Sequence, residues 1–288
     1  MIQGLGSFLG FFSAFFFSLV VSGYLPGLES RSFGDNSSAT SKSDVLVKIK
    51  ASGTLRVGLE SGFIPFEMRT KNGTWVGFDV DMISAFAKSL GVKPEFMDTK
   101  WDGIIPALVS GKFDVIASGM TITEERSRVV QFSAPYYQAG LVVMIKSGLA
   151  KEIKSLKDLD QKKYTVALKT GTTGDTFATK NLKNTNLRRF DTENDSAGAV
   201  ALGKVDAFIY DKPYIDIYAS KNSSKVSVLP EIISAESLGI AFRKKDSSLA
   251  QAFSVFFEAW KKAGSYQKAI DSYFKNMTWL KDFPDFLK

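Results

Sequence analysis

From Asp44 onward the hydrophobic positions switch repeatedly between a strand-like run and a helical spacing, and the switching predicts alternating strands and helices. Residues 54–59 form a short apolar run of strand type, whereas Met82, Ile83, Phe86, Ala87 and Leu90 recur on one helical face. Asp79 or Asp81 is expected to cap that helix, and Gly91 to supply the left-handed residue beyond its end. A strand over 95–97, a helix over 104–110 and a strand over 113–117 follow. The order then restarts, with strands over 164–168, 187–190 and 205–210 and helices over 172–181 and 195–202 between them. Such alternation calls for a parallel sheet covered on both faces.

The restart leaves a short internal echo. Gly111-Lys112-Phe113-Asp114-Val115-Ile116 resembles Gly203-Lys204-Val205-Asp206-Ala207-Phe208, each leaving a helix at glycine and entering a strand. Five residues past Asp114 lies Gly119, and five past Asp206 lies Asp211, so equivalent loops carry different polar groups. Ligands of open α/β sheets sit beyond the carboxyl ends of the strands, and these two loops are therefore expected to face one cleft. Residues 139–144 lead out of the first lobe and 238–242 lead back, which predicts a two-segment hinge. Leu249, Phe253, Phe256, Phe257, Trp260, Ile270, Tyr273 and Phe274 are assigned to the core of the first lobe.

Length changes little in this picture: 288 residues suit about two lobes with substantial cores. The formal charge of +7 is spread over single and paired basic residues with no interleaved aromatics, so nucleic acid is not an expected partner. The chain has neither cysteine nor histidine, which excludes disulfides, Cys/His zinc sites and Ser-His or Cys-His catalysis; no metal or cofactor is implied. Residues 8–21 are uncharged and apolar, with small residues at Val21-Ser22-Gly23, as in an exported chain's signal peptide. The region before them has no Lys or Arg, and 2–28 is long enough for an uncleaved membrane anchor instead. Residues 30–43 read as a flexible tether.

Gly119-Met120-Thr121-Ile122-Thr123-Glu124-Glu125-Arg126 puts an arginine and small hydroxyl residues on a loop entering a helix, a combination that can hold a carboxylate. With Ile64-Pro65-Phe66-Glu67, Gly77-Phe78-Asp79-Val80-Asp81, Trp101-Asp102-Gly103-Ile104-Ile105-Pro106-Ala107-Leu108 and Phe132-Ser133-Ala134-Pro135-Tyr136-Tyr137 in this order, the chain resembles the polar amino-acid-binding family of extracytoplasmic receptors for ABC importers. The resemblance runs from about Leu55 to the C-terminal helices. It implies an α/β fold of two Rossmann-like lobes joined by two hinge strands, of the type II periplasmic binding protein kind, closing on one amino acid. The organisation expected is 1–43 as signal peptide or anchor plus tether, 44–140 with 239–288 as a discontinuous first lobe, and 141–238 as the second.

Carried over by position, the resemblance implies that Arg126 takes the ligand's α-carboxylate with backbone N–H groups at Thr121 and Thr173, and that Asp211, the Gly119 carbonyl and the Thr121 hydroxyl take its ammonium. Ser118 lies in the same loop, and Phe63 and Trp101 are implied to sandwich the side chain. Glu60 and Lys169 are the specificity pair: an acceptor with a donor suits the carboxamide of glutamine, with arginine or lysine as rivals drawn by Glu60 and opposed by Lys169. The implied partner is an ABC transporter permease, the implied place the periplasm and the expected state a monomer without enzymatic activity. The alternative on the same fold is a cyclohexadienyl or arogenate dehydratase, for which Glu60 or Asp175 would be the acid.

Overall fold

The computed structural model describes residues 44–283, so the signal-peptide, anchor and tether expectations for 1–43 and the last five residues of the chain lie outside the described residues. In chain order the elements are α1 (Val45–Ser52), β1 (Thr54–Leu59), β2 (Met68–Arg69), β3 (Trp75–Val76), α2 (Phe78–Ser89), β4 (Lys93–Asp98), α3 (Trp101–Ser110), β5 (Val115–Ile116), α4 (Glu124–Val129), β6 (Val130–Phe132) and β7 (Tyr137–Lys146). There follow β8 (Thr165–Lys169), α5 (Thr173–Asn181), β9 (Asn186–Phe190), α6 (Glu193–Ala201), β10 (Ala207–Asp211), α7 (Lys212–Lys221), β11 (Val226–Val228), β12 (Ser234–Leu238), β13 (Ala241–Arg243), α8 (Ser247–Lys262) and α9 (Ser265–Ile270). A π-helical turn, Asp271–Asn276, extends the last of these.

Two large sheets share one plan. The first runs β4-β1-β5-β13-β6 and the second β9-β8-β10-β7-β11, so each has its first parallel strand flanked by the other two, then an antiparallel strand supplied by a distant segment. The expected parallel sheets are therefore mixed at one side. The echo around Gly111 and Gly203 falls at the turns entering β5 and β10, which are topological equivalents. Between the sheets β7 and β12 run antiparallel from Tyr137↔Leu238 to Leu141↔Ser234, a two-stranded ribbon that begins a few residues before each expected crossing, since 142–145 pair β10 in the second sheet and 241–243 pair β5 and β6 in the first.

The helix expected around Met82 begins earlier, at Phe78, and its N-cap is Gly77 without a side-chain bond. Neither aspartate caps it: Asp79 turns inward to the Gly119 N–H and the Tyr136 hydroxyl, and Asp81 accepts from Tyr273. Gly91 does take the left-handed conformation after Leu90, with φ 75°. Helix α8 buries Leu249, Ala250, Phe253 and Phe257 on one face, against Phe86 and Phe242. Each such aromatic contributes on the order of 1.5–3 kcal/mol of burial, which is why this helix completes the first sheet's core. Helix α1 falls where no element was expected; Asp44 caps it through Leu46 N–H, and Ser248 Oγ donates to Asp44 Oδ1 at 2.8 Å. Among the described residues, no helix is long and apolar enough to cross a membrane.

Candidate functional site

All four parallel strands next to the sheet centres end at one cavity: Glu60 follows β1, Ser118 and Gly119 follow β5, Lys169 ends β8 and Asp211 ends β10. Glu60, Phe63, Trp101, Ser118, Gly119, Thr121, Arg126, Lys169, Thr173 and Asp211, the ten residues singled out from the sequence, all line it. Glu67, Thr172 and Tyr210 complete the lining.

The loop after β5 is set by what lies beneath it. Ser118 Oγ donates to Glu67 Oε1 at 2.7 Å and accepts the Glu60 N–H at 3.0 Å, while the Gly119 N–H reaches Asp79 Oδ2 at 2.9 Å. The Ser118 hydroxyl proton is thus committed within the protein. Glu67 and Asp79 are fully buried, and each keeps one oxygen that accepts no hydrogen bond. Burial holds both above the ordinary carboxylate range, Asp79 at about 7 and Glu67 well above its usual value, the latter also pushed by Asp79. Gly119 has φ +50°, and a Cβ there would meet Phe63 Cε1 at 2.1 Å, so glycine lets the ring lie on the loop. Phe63 also stacks on Phe66 and meets Tyr210 edge-on.

Arg126 sits in the third position of α4, whose N-cap Thr123 accepts the Arg126 N–H. Its Nη1 donates to the Thr121 carbonyl at 2.9 Å and its Nη2 to the Gly171 carbonyl at 3.3 Å, with the guanidinium over the Trp101 ring at 5.1 Å. Burial lowers its affinity for the proton, and the charges of Asp211 and Glu236 work against that. Asp211 is 6% exposed, its Oδ1 accepts no hydrogen bond, and burial with the neighbouring Glu236 pushes it up to about 7 in spite of Arg126. A buried carboxylate in this state favours a cation beside it.

At the opposite end Lys169, 2% exposed, bonds both Glu60 Oε2 and, at 2.7 Å, Glu193 Oε2. Burial works to deprotonate this lysine, but Glu193 and Glu60 more than offset it, so it holds its proton more tightly than usual. Glu60 is itself raised by burial, partly countered by Lys169. Glu60 Oε1 accepts the Trp101 N–H at 3.0 Å, fixing the start of α3. Thr173 opens α5, whose N-cap Thr172 bonds the Asp175 N–H, and the first-turn N–H groups of such a helix lack intrahelical acceptors.

Asp175, in contrast, is absent from the lining. It accepts the Gly171 N–H and pairs with Arg189 at 2.9 Å. Glu67, Glu193 and Glu236 escaped the sequence reading as site groups. Glu67 lay in plain view in Ile64-Pro65-Phe66-Glu67, but Glu193 looks like an ordinary acidic residue in the first turn of a helix, and Glu236 lies in a strand with no motif.

Known proteins match this chain in sequence and in architecture. Residues 55–276 match the model of the bacterial extracellular solute-binding proteins, family 3. An L-cystine-binding protein of Escherichia coli K12 is 31% identical over 248 residues, 86% of this chain and 90% of that protein. The crystal structure of an ancestral amino acid-binding protein, a precursor of cyclohexadienyl dehydratase, superposes with TM-score 0.76 at 41% identity, over 81% of this chain and all of that one. An ancestral arginine-binding protein, solved with arginine and with glutamine, is 42% identical over 77% of this chain and 98% of that chain, with TM-scores 0.73 and 0.72. The two-lobed architecture is that of the type II periplasmic binding proteins. The chain belongs to the bacterial extracellular solute-binding proteins, family 3.

Proposed function

We propose that this protein is an extracytoplasmic receptor that closes on one polar amino acid and delivers it to the permease of an ABC importer. The observation that carries the reading is the placement of Asp211, buried and with an oxygen free of donors, in the same cavity as the Arg126 guanidinium. A zwitterion leaving water must have both charges paired and hydrogen-bonded, and these two groups offer the complementary pair. Arg126 would take the carboxylate with N–H groups at Thr121 and Thr173, and Asp211 the ammonium with Gly119 and Thr121. Ser118 serves by holding the loop. Phe63 and Trp101 flank the side chain.

For the side chain, Glu60 and Glu193 outnumber Lys169, so the far end of the cavity carries a surplus of negative charge. That favours arginine or lysine over glutamine, reversing the order expected from Glu60 and Lys169 alone. The arginine-bound and glutamine-bound ancestral relative is compatible with either ligand. The commitment of Asp175 to Arg189 leaves the dehydratase alternative with Glu60 as its acid, and Asp211 suits an ammonium that prephenate lacks. On this reading the first lobe comprises 44–140 with 239–288 and the second 141–238, the protein acts as a monomer in the periplasm, and the N-terminal segment directs it there.

A thermal-shift screen of the twenty amino acids tests the reading, because a ligand of the native state raises apparent stability by mass action. Arginine and lysine are expected to raise the melting temperature at micromolar to millimolar concentration. A flat response to every amino acid, or saturable conversion of prephenate to phenylpyruvate, would overturn it.

A further inference from the structure

Lys169 is held from two sides, and the two holders are not equivalent. Glu60 belongs to the loop after β1, whereas Glu193 begins α6 and packs beside Lys169 on the second sheet. Glu193 is 2% exposed and does not line the cavity; it stands behind Lys169. Its carboxylate also presses on the first lobe's Gly62, where a Cβ would meet Glu193 Oε1 at 2.2 Å. Gly62 has φ +133°, a conformation open to glycine, so the chain leaves room there for this one carboxylate.

Resting on the proposed amino-acid binding, we infer that Glu193 is a positioning residue that sets ligand class by neutralising Lys169, leaving Glu60 available to a cationic side chain. The charge count in a water-poor space decides which ligand fits. With Glu193 in place, Lys169 stays paired when a ligand cation approaches Glu60, and the local sum of Glu60, Glu193 and Lys169 remains negative. Without the Glu193 charge, Glu60 is the ion-pair partner left to Lys169 among the described residues, and a cationic tip must compete with an ammonium already bonded there. Neutral amides suffer no such competition. The Arg126 and Asp211 end is untouched by the change, so binding of the amino-acid backbone persists.

The test uses the full chain, titrated calorimetrically with L-arginine, L-lysine and L-glutamine. Glu193→Gln is expected to lower the ratio of arginine to glutamine affinity at least tenfold, and adding Lys169→Gln to that variant is expected to restore most of it. An unchanged ratio in Glu193→Gln, or a uniform loss for all three ligands without rescue in the double variant, overturns the inference. Where Glu193→Gln does not fold, Lys169→Met in the otherwise native chain reads the same balance: the arginine to glutamine ratio should rise, and a fall or no change refutes the assignment. Failure of the native protein to bind any of the three defeats the basic or amide ligand class on which this step rests, a flat response to all twenty amino acids defeats the functional reading itself, and normal native binding with an indifferent Glu193 defeats only this step.

Discussion

Trp101 Nε1 donates a 3.1 Å hydrogen bond to the Gly171 carbonyl, joining the start of α3 to the loop after β8. Arg126 Nη2 reaches the same oxygen, and the Trp101 ring lies under both Arg126 and the Lys169 ammonium, whose Nζ is 5.6 Å from the ring centroid. One indole therefore couples the two lobes' loops by a donor and by its face. Trp101→Phe keeps an aromatic face and removes the donor. A neutral hydrogen bond nets about 1 kcal/mol, so a roughly fivefold loss of affinity is expected to the extent that the bond forms on closing. Trp101→Ala also forfeits the cation–π contacts and should cost a further tenfold or so. Calorimetric titration of the two variants checks both values; a Trp101→Phe affinity equal to the native one would remove the indole N–H from the closure, and equal affinities for the two variants would remove the ring's cation–π face.

The proposed backbone clamp makes a paired prediction with opposite signs. Arg126→Ala strips a charge-assisted contact worth about 1.5–3 kcal/mol and should weaken amino-acid binding by ten- to a hundredfold or more while the fold persists. Asp211→Asn should abolish the ammonium contact and weaken binding similarly. Yet it should raise the melting temperature of the ligand-free protein above pH 7, because it replaces a buried carboxylate whose ionised form is disfavoured. Scanning calorimetry without ligand separates the two substitutions, and a lower melting temperature for Asp211→Asn would contradict the reading of that carboxylate.

Much of the site was legible because its residues end recognisable strands. Glycine after a helix, an apolar run and a polar residue past it locate the loop after β5 and the loop after β10 without any structure. What sequence could not show is which acidic residues turn inward. Asp79 reads as a helix cap by position, yet the Gly119 N–H and Tyr136 hydroxyl draw it into the core, and Gly77 takes the N-terminal position instead. Glu193 likewise reads as a dipole complement, and only packing reveals Lys169 at its carboxylate. Helix α1 was invisible for another reason: it has no strong apolar stripe, burying only Ile49, and it is settled by Asp44 capping and by α8.

The pH dependence of stability and of affinity should run in opposite directions. Asp79 and Asp211 are each raised from 3.8 to about 7, so the folded ligand-free protein binds more protons than the unfolded chain between these values. Their contribution is fully present below pH 3.8 and is lost as pH rises through 7. The Asp211 shift alone corresponds to at most roughly 4 kcal/mol. Ligand-free stability contributed by these groups should accordingly fall from pH 5 to pH 8. Affinity should rise over the same interval, because the ammonium needs the ionised Asp211; below pH 7 it should drop by up to about tenfold per unit. Calorimetric titrations and melts at pH 5, 6, 7 and 8 read both slopes. Affinity that is flat across this range would show that Asp211 ionises without the cost assigned to it.

Gly119 offers a test of how the loop and the aromatic floor are fitted together. At φ +50° an L side chain is strained, and the Cβ of alanine would lie 2.1 Å from Phe63 Cε1 and 2.3 Å from its Cδ1. Phe63 cannot withdraw freely, since it stacks on Phe66 with centroids 4.8 Å apart and meets Tyr210 at 5.7 Å. Gly119→Ala should therefore cost about 1–3 kcal/mol of stability and displace either the ring or the loop. Because the Gly119 N–H also bonds Asp79, moving the loop should weaken amino-acid binding more than tenfold. The companion Phe63→Leu relieves the clash. The double variant is expected to recover stability beyond the sum of the single effects, since the two residues touch. A double-mutant cycle by urea denaturation measures this coupling, and simple additivity would mean that the ring and the glycine do not constrain one another.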